Sequence, residues 1–275
     1  MVEVHYTTRF CPYCGTVIAT PTKYCETCGV EITWSISETQ QPPWPWTPKS
    51  TYSLTIITYG VYFLITIVLL LYYLVFWGIP LLDLIFITVD PGVLVLLTLT
   101  ELVFVIIPIA FVKRLKLNLA KLGAATGGIL TLAKDLLLGV AIGIAMVPLI
   151  LVLDLYEILV PGTVPPPTPP TPIDLFWVGM LCVSVILVIA PTEEVLFRGF
   201  VQNSLDAHYG RVGGLLVASV IFGLAHLNPL IGIFQTIGGI ILGLLFQWRG
   251  NRLAGPIAAH ATFDCLIILL DAFLI

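Results

Sequence analysis

From Leu175 to Ile189 the chain has no charged residue, and the apolar pattern does not end there. It runs straight into Ala190-Pro191-Thr192-Glu193-Glu194-Val195-Leu196-Phe197-Arg198-Gly199. Two adjacent carboxylates and an arginine therefore lie where the sequence still reads as membrane helix. Several stretches of the chain reach the ~18 apolar residues that mark a bilayer-crossing segment. In lipid every backbone polar group must be satisfied within the protein, so the crossing elements are helices. Composition agrees: 58% of the 275 residues are hydrophobic, 10% are charged, and mean hydropathy is +1.04. That excludes a soluble fold of this size. The net charge of −4, with no basic run, gives no sign of nucleic-acid binding. The first 34 residues are polar and cysteine-bearing, so no signal peptide is expected.

Those first residues form a unit of their own. Cys11-Pro12-Tyr13-Cys14-Gly15 is followed by Cys25-Glu26-Thr27-Cys28-Gly29. Two C-x-x-C knuckles supply four thiolates for one tetrahedral zinc, with a glycine after each pair where the backbone must turn. Two disulfides are the alternative, but disulfide frameworks seldom repeat C-P-x-C-G. Residues 1–34 thus read as a zinc ribbon with Cys11, Cys14, Cys25 and Cys28 as ligands. So short a unit needs the metal for its fold, and four cysteines leave no open coordination position. Residues 35–50 read as a proline-stiffened linker, in which Trp44 and Trp46 suit the headgroup level. Residues 51–275 form the membrane domain, with its motif-bearing part at about 175–275. The fold class is an all-α polytopic membrane helix bundle of about seven to eight spans preceded by a small zinc-ribbon domain.

The pattern predicts spans near 53–78, 92–112, 135–158, 175–205, 212–227, 230–248 and 253–274. The fourth is longer than a bilayer requires, so its end projects or bends. Leu81 to Thr88 is too short to cross and reads as re-entrant, 115–133 as an interfacial helix, and Val160 to Pro172 as an external loop. Placing the N-terminus in the cytosol puts Lys113, Arg114, Lys116, Lys121, Lys134, Arg211, Arg249 and Arg252 inside. The loops assigned outside have no lysine or arginine. A cell-membrane protein with a cytosolic ribbon also suits free thiolates in a reducing compartment.

Ionisable side chains within membrane segments are costly and mark function by default. Glu194 and Arg198, at i,i+4, can neutralise each other; Glu193, rotated ~100° around the helix, cannot share that pair. Glu193 and His226 lie on consecutive antiparallel segments joined near Tyr209-Gly210, each roughly 24 Å from that turn at ~1.5 Å per residue. They should meet at similar depth, with Phe222 one turn from His226 on the same face. His260 and Asp264 share a face of the last span, where a mutual hydrogen bond is the structural alternative. His260 comes out shallower by ~10 Å on the same rise. Gly239-x-x-x-Gly243 permits close helix contact, which reads as membrane packing. Glu101 is a further intramembrane carboxylate, open as a proton path, a second site partner or a bonded bundle residue.

A glutamate, two histidines and an aspartate converging from three spans suit hydrolysis of a carbonyl compound. Either a carboxylate base activates water, or a divalent metal generates hydroxide. In their order, Glu193-Glu194-x-x-x-Arg198, Phe222-x-x-x-His226 and His260-x-x-x-Asp264 resemble the CPBP (CAAX-processing and bacteriocin-processing, or Abi) intramembrane endopeptidases. That family includes the type II CAAX prenyl protease. The resemblance covers roughly 90–275 and implies a protease in which Glu193 and His226 activate water. It implies that Glu194 and Arg198 support the site, and that His260 and the residue at 264 bind the oxyanion. Many members have asparagine where this chain has Asp264. An ionised aspartate would instead hold His260 in one tautomer. The resemblance admits both a metal-dependent and a metal-free glutamate mechanism, so a metal at the membrane site stays open. The implied substrate is a membrane-anchored peptide or protein met within the lipid bilayer, and whether its anchor is a CAAX-like, prenylated end or another apolar group stays open. The alternative is a non-catalytic membrane immunity or scaffold protein whose ribbon binds a cytosolic protein partner; it would tolerate glutamine at 193.

Overall fold

The computed structural model describes residues 9–11, 13–18, 24–31, 44–77, 98–149, 172–227 and 229–273. Two short strands, β1 (Arg9–Phe10) and β2 (Val17–Ile18), pair antiparallel, with Arg9 opposite Ile18. The rest is helical: α1 (Pro48–Trp77), α2 (Val103–Arg114), α3 (Ile129–Met146), α4 (Pro172–Ser184), α5 (Ala190–Glu194), α6 (Asn203–Leu224), α7 (Pro229–Trp248) and α8 (Ala254–Phe273). Among the described residues, five helical stretches are long and apolar enough to cross a membrane: Pro48–Phe76, Ile129–Met146, Leu175–Leu224, Ile231–Trp248 and Ala254–Phe273.

Helix starts follow local chemistry. At α1, the Thr47 hydroxyl accepts from Ser50 N at 3.2 Å and Pro48, which has no N–H to satisfy, takes the first helical position. The stretch 175–224 is 50 residues long, far more than one crossing needs. It is divided at Gly210, whose φ of 76° and ψ of 163° break the helix. The chain folds back there: a Cβ on Gly214 would stand 2.3 Å from Asp206 N. The expected turn at Tyr209-Gly210 is thus present, and the predicted segments 175–205 and 212–227 lie on either side of it.

Two sequence expectations shift. The third span starts at Ile129 rather than 135, because Asp135 is not at a water boundary. It is fully buried, between Arg249 Nε at 2.5 Å and Arg252 Nε at 2.6 Å. The interfacial helix expected over 115–133 is not formed. Leu119–Leu122 makes one 3₁₀ turn, and Gly123, Gly127 and Gly128, all at positive φ, break the backbone before α3 begins. The proposed re-entrant segment 81–88 and the loop 160–171 lie outside the described residues.

Small residues set the helix spacing. A Cβ on Gly143 would lie 2.5 Å from the Ala259 carbonyl oxygen, so α3 and α8 touch backbone to backbone. Gly239 does the same for α7 against Ser219 of α6, and Gly243 makes room there for the Leu215 side chain. The Asp135 cluster ties the start of α3 to the turn between α7 and α8. Among the described residues, Asp135 is the one carboxylate paired with these two arginines. Asp135→Asn removes that charge and should cost about 3–5 kcal/mol of stability. Thermal unfolding in detergent reads it; an unchanged midpoint would show that the arginines find other partners.

The ribbon is seated on the membrane domain rather than independent of it. Thr16 Oγ1 donates to the Gly250 carbonyl at 3.3 Å, Asn118 Nδ2 donates to the Tyr13 hydroxyl, and Ala120 packs into the cysteine cluster. Trp46 does not face outward as a headgroup anchor would. It is buried and stacks on Phe200 with centroids 5.3 Å apart, while Trp44 meets it edge-on at 5.1 Å. An aromatic surface that could anchor in the interface gains more by filling the core beside the π-helical stretch 195–202.

Candidate active site and metal centre

The helix that carries Glu193 is not regular. Val185–Ile189 and Val195–Gln202 are π-helical and bracket α5. Pro191 has no N–H to give to the carbonyl four residues back, which loosens the ladder between them. π-helical insertions recur at functional sites. More residues per turn mean less rise per residue, so Glu193 sits nearer the Gly210 turn than an α-helix would place it. That narrows the depth mismatch with His260 in part.

The two carboxylates divide their labour. Glu194 is 0% exposed, and its Oε1 accepts from Arg198 Nη1 at 2.9 Å and meets His260 Nδ1 at 2.9 Å. It is therefore committed to both. Glu193 is part-exposed and forms no hydrogen bond among the described residues; its nearest charged neighbour is His260 Nε2, 3.8 Å from Oε2. The same Nε2 lies 3.2 Å from Asp264 Oδ2. His260 thus has Glu194 at one ring nitrogen and Asp264 with Glu193 at the other. Glu194, not Asp264, holds its Nδ1.

His226 is set differently. Its Nδ1 lies 2.9 Å from the Phe222 carbonyl, which can only accept, so Nδ1 carries the proton and Nε2 keeps its lone pair. No hydrogen bond or ion pair joins His226 to Glu193 among the described residues. The link between the motifs is Phe222, whose ring lies 5.1 Å from His226, 6.0 Å from His260 and 4.5 Å from the Arg198 guanidinium carbon. His226 also lies within electrostatic range of His260, Asp264 and Arg198. The structure therefore brings Glu193, Glu194, Arg198, His260 and Asp264 into direct contact and sets His226 one aromatic ring away.

The glycine pair of α7 does more than pack. Arg198 Nη2 reaches the Gly239 carbonyl at 3.4 Å and Gln202 Nε2 reaches the Gly243 carbonyl at 3.1 Å. At Gly243 it is the bare backbone that makes room for the glutamine side chain. A Cβ on Gly243 would meet Gln202 Oε1 at 2.7 Å. Sequence reasoning also missed Tyr59 and Tyr62 of α1, which lie within electrostatic range of Glu193 and Glu101. Their only sequence signal was polar tips on an otherwise apolar helix.

At the other end of the chain, all four ribbon sulfurs lie within 4.8 Å of one another, and among the described residues no other such group is formed. Cys11 and Cys28 Sγ are 3.6 Å apart, and Cys14 and Cys25 Sγ 3.7 Å. A tetrahedron with Zn–S bonds of ~2.3 Å has edges of ~3.8 Å, so the set fits a metal such as zinc. The two knuckles are built alike. Gly15 N donates to the Cys11 carbonyl and Gly29 N to the Cys25 carbonyl, each at 2.8 Å, with both glycines at positive φ. Lys121 stands beside the sulfurs and over the Trp44 ring. Burial draws its ammonium below the ordinary lysine range, and thiolate charge on Cys14, Cys11 and Cys28 opposes that.

The fold and the cluster define a polytopic membrane protein with a carboxylate–histidine site in its interior. Residues 175–266 match the family model described as type II CAAX prenyl endopeptidase Rce1-like. The resemblance expected from the motifs holds across that stretch and supports a CAAX-type membrane endopeptidase at the level of the family. No curated protein and no solved structure matches the chain.

Proposed function

We propose that the protein hydrolyses a peptide bond of a membrane-anchored protein or peptide with water activated by Glu193, and that its substrates end in a CAAX-like, prenylated segment. The observation that carries this reading is the division between the adjacent glutamates. Glu194 is committed to Arg198 and His260, while Glu193 is uncommitted and faces the other ring nitrogen of the same histidine. Glu193 takes a proton from water as the hydroxide attacks the carbonyl carbon, then returns it to the leaving nitrogen. His226, fixed by the Phe222 carbonyl, offers its Nε2 lone pair to the same water. The Nε2 edge of His260 receives the developing oxyanion, beside Asp264. The test is cleavage of prenylated CAAX peptides and of a membrane-peptide library by the purified protein, with Glu193→Gln as control. Equal cleavage by that variant would sink the assignment.

We read residues 1–34 as a structural zinc ribbon, 35–50 as its linker and the remainder as the protease domain. The cytosolic side is assigned to the ribbon by the lysines and arginines near the helix ends, which protease accessibility in intact vesicles would check. In the ribbon, Cys11, Cys14, Cys25 and Cys28 would hold zinc, which supplies cross-linking and no chemistry. The full chain should then contain about one zinc, as four thiolates close one coordination shell, and the Cys11→Ser/Cys14→Ser variant should contain almost none. Equal zinc in both would place the metal elsewhere.

A further inference from the structure

A groove between α3 and α7 has no part in this scheme. Ile241, Leu244, Leu245 and Trp248 recur at helical spacing on one side of α7, and with Ile142 of α3 they line a cavity of about 370 Å³. Sites for small molecules have volumes of ~300–1,000 Å³. Every side chain lining this one is apolar but for the indole N–H of Trp248. Leu245 is buried, while Leu244 and Trp248 stand exposed beside it. One end of the groove is charged. A Cβ on Gly255 would stand 3.5 Å from the Leu245 side chain and 3.4 Å from the Asp135 carbonyl, so the groove borders the Asp135 cluster. There one carboxylate meets two guanidiniums. Arg252 is buried and commits Nε and Nη2 to Asp135. Arg249 commits only Nε, and its side chain is 22% exposed. Its guanidinium carbon lies 5.8 Å from the centre of the Trp248 ring. The next charges along, Arg211 and Asp206, both bond to Gln247 and offset each other, and the exposed Lys134 adds a further positive charge. The surplus at this end of the groove is therefore positive, and Arg249 presents it beside the tryptophan.

We propose that this groove binds one phospholipid with an anionic headgroup. One acyl chain lies along Ile142, Ile241, Leu244 and Leu245, and the phosphate sits against Arg249 and the Trp248 indole. Trp248 is the last residue of α7, where a tryptophan suits the level of the headgroups. Charge complementarity selects this occupant. A bare hydrocarbon tail would fill the groove and gain nothing from Arg249, and a zwitterionic headgroup brings a cation of its own, which the surplus repels. Cationic pockets between membrane helices recognise anionic headgroups in this way. The inference is independent of the hydrolase reading and uses none of its residues.

The full chain in uncharged detergent is titrated with phosphatidylglycerol and with phosphatidylcholine of the same acyl chains, and bound lipid is counted by native mass spectrometry. Phosphatidylglycerol should bind about fivefold more tightly, the contribution of one uncompensated cation. Raising the salt from 0.1 to 1 M should remove most of that preference, because the screening length falls from ~10 to ~3 Å. Arg249→Gln leaves Asp135 paired one to one with Arg252. Its affinity for phosphatidylglycerol should drop about fivefold, to that for phosphatidylcholine. Arg249→Lys keeps the charge and should keep the preference. Glycerol 3-phosphate in excess should displace neither lipid, since the chain in the groove holds the headgroup in place. Equal affinity of the unaltered protein for the two lipids would overturn the proposal. So would a preference that survives Arg249→Gln or 1 M salt, its loss in Arg249→Lys, or displacement by glycerol 3-phosphate.

Discussion

Glu193→Gln loses about 10²–10⁴-fold in kcat and keeps its fold, the span attributed to a general base. Both halves of that expectation come from the same observation. The side chain makes no hydrogen bond among the described residues, and its 3.8 Å approach to His260 is too long to hold the bundle together. Glutamine has nearly the same volume and cannot take a proton from water. KM should change little, because the substitution keeps the size and polarity of the side chain. The measurement is steady-state cleavage in detergent together with a thermal midpoint for each protein. A variant that is inactive because it has unfolded would show a lowered midpoint, and that result would move Glu193 from chemistry to structure.

Glu194→Gln shows the opposite split. Arg198 is 2% exposed and stacks on Phe222, and the carboxylate of Glu194 is its only anionic hydrogen-bond partner among the described residues. Removing that charge leaves a buried guanidinium uncompensated, which costs about 3–5 kcal/mol. The same substitution weakens the hold on His260 Nδ1, so stability and activity fall together. A double variant separates them. Glu194→Leu with Arg198→Met removes both charges from the interior and should regain most of the lost stability, because apolar replacement of a buried pair is often neutral. It should stay inactive, since His260 has lost the acceptor that orients it. A double variant as unstable as Glu194→Gln would mean that the pair specifies the helix packing itself.

Much of this site was readable in the residues because charge in a membrane segment is self-announcing. Glu193, Glu194 and Arg198 stood out against an uncharged run, and the i,i+4 arithmetic paired Glu194 with Arg198 as found. The face shared by His260 and Asp264 was equally direct. What failed was depth. A constant rise per residue overestimated the distance from Gly210 to Glu193, because nothing in the side-chain pattern signals where a ladder becomes π-helical. Long-range partners were also hidden. Asp135 looked like a boundary residue because its arginines lie more than a hundred positions away, and Trp46 looked like an interfacial anchor because its stacking partner, Phe200, belongs to another helix. The small residues Gly139 and Gly143 passed unremarked, although α8 and the histidine it carries rest on them.

The seating of the ribbon changes what a chelator can report. Leu122 presents its carbonyl to Gly199, where a Cβ would stand 2.5 Å away, and Gly199 follows Arg198 directly. Gly123, next in sequence, accepts from Leu253 N at 3.1 Å at the start of α8. The segment that bears on the ribbon through Asn118 and Ala120 thus touches both helices of the carboxylate–histidine cluster. Stripping zinc from the cysteines would loosen that segment and dim activity from a distance, with no metal ever bound at Glu193. Chelator inhibition in this architecture is therefore the expected behaviour of a metal-free reaction as much as of a metal-dependent one. The discriminating material is a chain in which the knuckles have been replaced by an uncharged, metal-free turn that still packs on Ala120.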